Sequence, residues 1–290
     1  MLSVRARDAA RESRPGAAPF VFLFESGRDA VAACRRHARV VRRAAVFALL
    51  AGGAVASTGV LLPAGRTAFI AGTLAGAVAT ALFVAANAGL LRGPGGTPLE
   101  RFGVANCLTL SRLILIAPVC VLLAEGRAAA ALATYAVLVV TDVADGIVAR
   151  RRGETSEFGV VVDPLADVLS TFAVFTVFLV DNLVPLWLYL LLAGRYAMLL
   201  LGSLVLFATV GPVAYRATVP GKVVGVIQAT GAGLLMLAAA RGGPDWPYAG
   251  RLFAVLGLGF ASIVVSQGVI GWRHIRHATR GRAVRSGSTR

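Results

Sequence analysis

Residues 142–167 read DVADGIVARRRGETSEFGVVVDPLAD, and four carboxylates, Asp142, Asp145, Asp163 and Asp167, lie there within apolar sequence. An Asp at the centre of a membrane span costs about 2.5–3.5 kcal/mol, so four without partners would cost about 10–14 kcal/mol. Such a set is kept only where something positive compensates it. For clustered carboxylates the expected partner is a divalent metal.

The spacing says how the carboxylates meet. Asp142, Asp145, Gly146 and Ala149 recur at i, i+3, i+4 and i+7, which places them within about 100° of one helix surface. Asp163 and Asp167, at i and i+4, share a face of the following helix. With Arg150 taken as the interface, Asp145 and Asp142 lie about 8 and 12 Å inward at 1.5 Å per residue. Counted from Gly159, Asp163 and Asp167 lie about 6 and 12 Å inward, so two antiparallel neighbours bring their pairs to matched depth. Asn106, Thr109 and Arg112 follow i, i+3, i+6 spacing on an earlier span and fall in the same layer, as does Gln228, with Lys222 at its rim. Arg195 sits deeper, in the middle of a later run.

The surrounding chain is that of a membrane protein. Hydrophobic residues make up 57% of the 290 positions, which excludes an ordinary soluble domain. Apolar runs at 44–62, 67–91, 105–124, 129–149, 159–180, 183–210, 222–240 and 251–272 predict an all-α integral membrane protein of about eight spans. The basic, polar first 43 residues do not read as a signal peptide. The net charge of +15 reports topology here, and nucleic acid is not an expected partner. With the N-terminus inside, 23 of the 29 basic residues fall in cytoplasmic segments and four (Arg66, Arg127, Arg241, Arg251) in outer loops. The positive-inside rule therefore puts both termini, and the carboxylate layer, on the cytoplasmic side of the cell (inner) membrane. Cys34, Cys107 and Cys120 show neither a disulfide framework nor a zinc spacing.

Five segments follow. Residues 1–43 form a basic cytoplasmic arm with a short apolar patch from Phe20 to Phe24, suited to anionic membrane lipid. Residues 44–91 supply two helices without internal ionisable groups. Their Gly72, Gly76 and Thr80 stripe suits close packing or oligomerisation, with a homodimer as one assembly it would permit. Residues 92–98 form a turn-rich linker, 99–272 a six-helix domain, and 273–290 a basic tail. His274 and His277 in that tail are read as surface residues on anionic lipid, not as metal ligands.

Carboxylates and cations around one water-accessible membrane cavity suit phosphoryl transfer. A metal neutralises phosphate charge there, and a carboxylate takes a hydroxyl proton. The pattern Asp142-x2-Asp145-Gly146-x2-Ala149-Arg150-x8-Gly159-x3-Asp163-x3-Asp167 resembles, at all eight fixed positions, the motif of the CDP-alcohol phosphotransferase family. The resemblance covers roughly residues 99–272 and extends to Asn106, Thr109 and Arg112 before the motif and to Gly221, Lys222 and Gln228 after it. It implies that this six-helix core transfers a phosphatidyl-type group from a CDP-linked lipid such as CDP-diacylglycerol to a small alcohol, releasing CMP. It further implies that Asp142, Asp145, Asp163 and Asp167 hold Mg²⁺ or Mn²⁺, and that Asp167 is the catalytic base. Gly146 and Ala149 would pack on cytidine, Arg150 would neighbour the nucleotide phosphates, and Asn106, Thr109 and Arg112 would line the donor site.

The sequence DPLAD at 163–167 resembles the phosphatidylglycerophosphate synthase-like branch, which puts glycerol 3-phosphate ahead of serine, inositol or inositol phosphate as acceptor. Departures thin the acceptor's cations. Val168 stands where that branch often has Lys, and Arg195-Tyr196 followed by Gly202 stands for its Arg-Glu pair and second Arg. Val224 and Gly225 replace its second Lys and Thr. Arg195, Lys222 and Gln228 remain as acceptor or phosphate contacts. A cation transporter would account for the carboxylates but not for Gly146, Ala149, Arg150 and their spacing.

Overall fold

The computed structural model describes residues 27–93, 96–209, 219–242 and 248–287. Phe20 to Phe24, Arg216 and the last three residues lie outside the described residues, as do the side chains of His274 and His277. Nine α-helices are described: α1 Gly27–Arg36, α2 Ala38–Thr58, α3 Arg66–Ala86, α4 Val104–Ala124, α5 Ala128–Arg152, α6 Glu157–Val180, α7 Leu186–Thr209, α8 Val219–Ala240 and α9 Ala249–Gly287. Among the described residues seven helical segments are long and apolar enough to cross a membrane. A shorter apolar stretch, Leu186–Leu199, belongs to α7. The all-α membrane architecture of about eight spans is therefore the one observed. The basic arm is helical in its second half, so α2 begins six residues before the apolar run, at Ala38.

Two compact units are present: residues 22–184 with 229–247, and residues 185–228 with 248–290. In the first, α2 packs on α3 and α3 on α4, and α5 and α6 both pack on α4, which is the central helix of the unit. Small residues set the separations. A β-carbon at Gly52 of α2 would lie 2.3 Å from Ala77 Cβ of α3, whereas Gly72 and Gly76 on α3 face Val121 and Ala117 of α4. The Gly72–Gly76 stripe is thus used within the chain, letting α3 approach α4 closely.

One buried cluster joins Val40, Val41 and Ala44 of α2 and Val84 of α3 to Leu110 of α4 and Phe158, Val161 and Val162 of α6. The two N-terminal spans therefore pack on the same helices that carry Asn106, Thr109 and Asp163. The segment between α3 and α4 closes as a tight turn, with Gly93 N–H donating to Thr97 O at 2.8 Å and Leu99 N–H to Leu91 O at 3.1 Å. It is fastened to the start of α6 by Glu157 N–H donating to Arg92 O at 2.9 Å. In the second unit α7 packs on α9, where Gly257 leaves room for the Trp187 ring.

Candidate active site

The turn between α5 and α6 shapes the site. Helix α5 ends on Gly153, whose φ of 63° is the left-handed conformation that glycine adopts without strain. Arg150, Arg151 and Arg152 fill its last turn, where cations complement the helix dipole. Ser156 caps α6: its Oγ accepts from Gly159 N–H at 3.0 Å and donates to Asn106 Oδ1 at 2.8 Å. Glu154 Oε2 accepts from Ala105 N–H at 3.3 Å, so an acid from the same turn caps the N-terminus of α4. A four-residue turn thereby sets the register of both flanking helices against α4.

Above this turn the sequence-expected residues converge. Thr109 Oγ1 donates to Asp163 Oδ1 at 2.7 Å and lies 3.4 Å from Asp145 Oδ2. Arg112 engages three carboxylates from two helices. Its Nη1 pairs with Asp142 Oδ1, and its Nη2 lies 2.8 Å from Asp145 Oδ2 and 3.1 Å from Asp163 Oδ1. The Arg112 side chain is 3% exposed, against 50% for Asp142 and 43% for Asp163. Asp142 and Asp163 thus open outward, while Asp145 and the arginine lie beneath them. Pro164 inside α6 has no N–H for the carbonyl one turn back, which loosens the helix next to Asp163. Asp167 follows Asp163 by one turn and is exposed.

The motif's small residues keep the approach open. A β-carbon at Gly159 would lie 3.3 Å from Asn106 Oδ1 and 3.8 Å from Asp163 Oδ2. One at Gly146 would lie 3.4 Å from Arg150 Nη1, so the Arg150 side chain folds back over Gly146. Ala149 is half-buried on the same face.

Arg195, Lys222 and Gln228 belong to the second unit. There Arg195 Nη1 donates to Gln228 Oε1, whose Nε2 donates to Tyr196 Oη at 3.3 Å. The guanidinium lies 5.0 Å from the Tyr196 ring centroid and 5.9 Å from that of Phe260. None of these partners is acidic, so the charge is held by dipoles and ring faces. Lys222 is exposed.

The aspartates suit Mg²⁺ or Mn²⁺ in donor type, since every candidate ligand is a carboxylate oxygen. Three carboxylates against one guanidinium also leave a surplus of negative charge for a dication. Among the described residues, however, no three His, Cys, Asp or Glu are arranged around a common metal position. In this structure the compensating charge expected from a metal is supplied by Arg112. Sequence reasoning did not single out Ser156 or Glu154. The signal available was a Ser three residues before Gly159, a common N-cap position.

A family model described as CDP-alcohol phosphatidyltransferase matches residues 102–267. An Aquifex aeolicus (strain VF5) protein named CDP-diacylglycerol--glycerol-3-phosphate 3-phosphatidyltransferase is 36% identical over 106 residues, 36% of this chain and 59% of that protein. A Treponema pallidum (strain Nichols) protein of the same name is 42% identical over 55 residues, 19% of this chain and 26% of its own length. The chain thus spans about six tenths of the first relative and a quarter of the second. No solved structure matches.

Proposed function

Because the chain belongs to the CDP-alcohol phosphatidyltransferase family, we propose that it transfers a phosphatidyl group from a CDP-linked lipid such as CDP-diacylglycerol to the hydroxyl of a small alcohol, releasing CMP, in phospholipid synthesis. The observation that carries this reading is the convergence of Asp142, Asp145 and Asp163, from two antiparallel helices, with Thr109 and Arg112 of a third. Both relatives are named for transfer to glycerol 3-phosphate, which supports that acceptor here ahead of serine, inositol or inositol phosphate.

In this reading the acceptor oxygen forms a bond to the lipid-side phosphorus, the bond from that phosphorus to the bridging oxygen breaks, and CMP leaves. Asp167 takes the acceptor's hydroxyl proton. Asp142, Asp145, Asp163 and Asp167 would hold Mg²⁺ or Mn²⁺, which when bound neutralises the phosphate charge. Thr109 fixes the orientation of the Asp163 carboxylate, as outer hydrogen-bond partners of ligating groups do. Asn106, held by Ser156, lines the donor side. Gly146 and Ala149 leave a small-residue floor for cytidine, and Arg150 flanks the nucleotide phosphates. The site would face the cytoplasm, with both termini on that side and the basic arm on anionic lipid.

The test is incubation of the purified protein with CDP-diacylglycerol, Mg²⁺ or Mn²⁺, and a panel of glycerol 3-phosphate, serine, inositol and inositol phosphate. Mass spectrometry of the lipid product identifies the acceptor. Divalent-dependent CMP release with glycerol 3-phosphate is expected. Absence of CMP release with every acceptor would overturn the reading.

A further inference from the structure

Arg112 is 2% exposed, yet its Nε is buried without a hydrogen-bond partner among the described residues, where the guanidinium makes its ion pairs through Nη1 and Nη2. A buried arginine kept only for structure usually has every donor satisfied, because each orphaned donor is destabilising. Here the tip of the side chain stands where Asp142 and Asp145 of α5 approach Asp163 of α6, while its inner nitrogen points at nothing that holds it. Asp142 and Asp163 are about half exposed at that point, so a small cation from water can reach the oxygens that Arg112 already occupies.

We propose that Arg112 is a tethered counter-cation that competes with a divalent metal for Asp142, Asp145 and Asp163. The inference rests on the metal-dependent reading above and adds to it a reason for this arginine. The guanidinium holds three mutually repelling carboxylates together from two helices. On metal loading it gives up these oxygens, and the freed guanidinium, on the same helix face as Asn106 and Thr109, becomes available to the donor's phosphate oxygens. Loading of the site and recruitment of an anionic donor are thereby coupled through one side chain. Removing its charge should leave the carboxylates open to the metal at no competitive cost, while weakening the empty site.

Mn²⁺ binding to the full chain, without substrate, is followed by electron paramagnetic resonance of free Mn²⁺, alongside thermal unfolding in EDTA and in saturating Mn²⁺. Arg112→Gln is expected to bind Mn²⁺ at least about tenfold more tightly than wild type, since a full positive charge in contact with the ligands is gone. It should unfold at a lower temperature in EDTA and recover most of that loss in Mn²⁺. Arg112→Lys keeps the charge but cannot span three carboxylates, and should bind with intermediate affinity. Should Arg112→Gln not fold, Arg112→Lys decides the matter. Wild-type or weaker Mn²⁺ affinity in the folded variants would overturn the competition and make Arg112 a builder of the metal site. A wild-type chain with no saturable Mn²⁺ binding would instead overturn the metal requirement itself, and with it the competition.

Discussion

Asp167 differs from its three companions in what surrounds it. Asp142, Asp145 and Asp163 are engaged by Arg112, whereas Asp167 stands one turn further along α6 with an exposed side chain. A carboxylate that must take a proton from an incoming hydroxyl is well placed at an exposed position. Asp167→Asn keeps the shape and removes the proton acceptor. The expected result is a fall of about 10²–10⁴-fold in the rate of CMP release, with CDP-diacylglycerol affinity near wild type. Single-turnover kinetics and lipid binding measured on the same preparation check it, and turnover at the wild-type rate would assign the base elsewhere. The meeting of Asp142, Asp145 and Asp163 was legible in the sequence, because helical spacing puts carboxylates at matched depth on successive helices. Which charge compensates them was not, since spacing does not say that a residue thirty positions before Asp142 reaches it. Ser156 and Glu154 escaped for a related reason: a cap is recognised only once both the helix it ends and the neighbour it touches are in place.

At the scale of the helix, the two N-terminal spans are part of the layer that holds the site. Their lengths were readable from hydropathy, but their packing role was not, because an apolar stripe does not name the helix it meets. The stripe at Gly72 and Gly76 meets α4, the helix of Asn106, Thr109 and Arg112. On the other side Gly52 lets α2 touch α3 so closely that any side chain there must displace Ala77. A β-carbon at Gly53, the next residue, would meet nothing within 4 Å, so that position serves as the control. Gly52→Leu is expected to destabilise the purified protein by about 1–3 kcal/mol, the usual cost of overpacking a tight contact. Gly53→Leu should stay within about 0.5 kcal/mol of wild type. Chemical or thermal unfolding in one detergent compares the two, and equal stabilities would show that the α2–α3 contact is not tight in solution.

Across the whole molecule, the side of the membrane that the site faces follows from counting spans. Arg101 precedes α4, and the outer turn at Asp181 follows α6, so three helices, α4, α5 and α6, separate them. An odd number of crossings puts the two positions on opposite sides whatever the rest of the chain does. Two crossings separate Arg101 from the α5–α6 turn, and Glu154 of that turn caps α4 at Ala105. Arg101 therefore reports the face on which the aspartate layer opens. On the orientation proposed above, the bias of basic residues, 23 against four, makes that face the cytoplasmic one, because Lys and Arg near span ends are retained there. In a chain with Cys34, Cys107 and Cys120 changed to alanine, Arg101→Cys and Asp181→Cys are each placed at an exposed site. A membrane-impermeant maleimide should label Asp181→Cys in intact spheroplasts and Arg101→Cys only in inverted vesicles. The reverse pattern would turn the aspartates outward and leave the positive charge on the wrong side. Labelling of both positions from one side would break the three-helix count on which the antiparallel course of α5 and α6 depends.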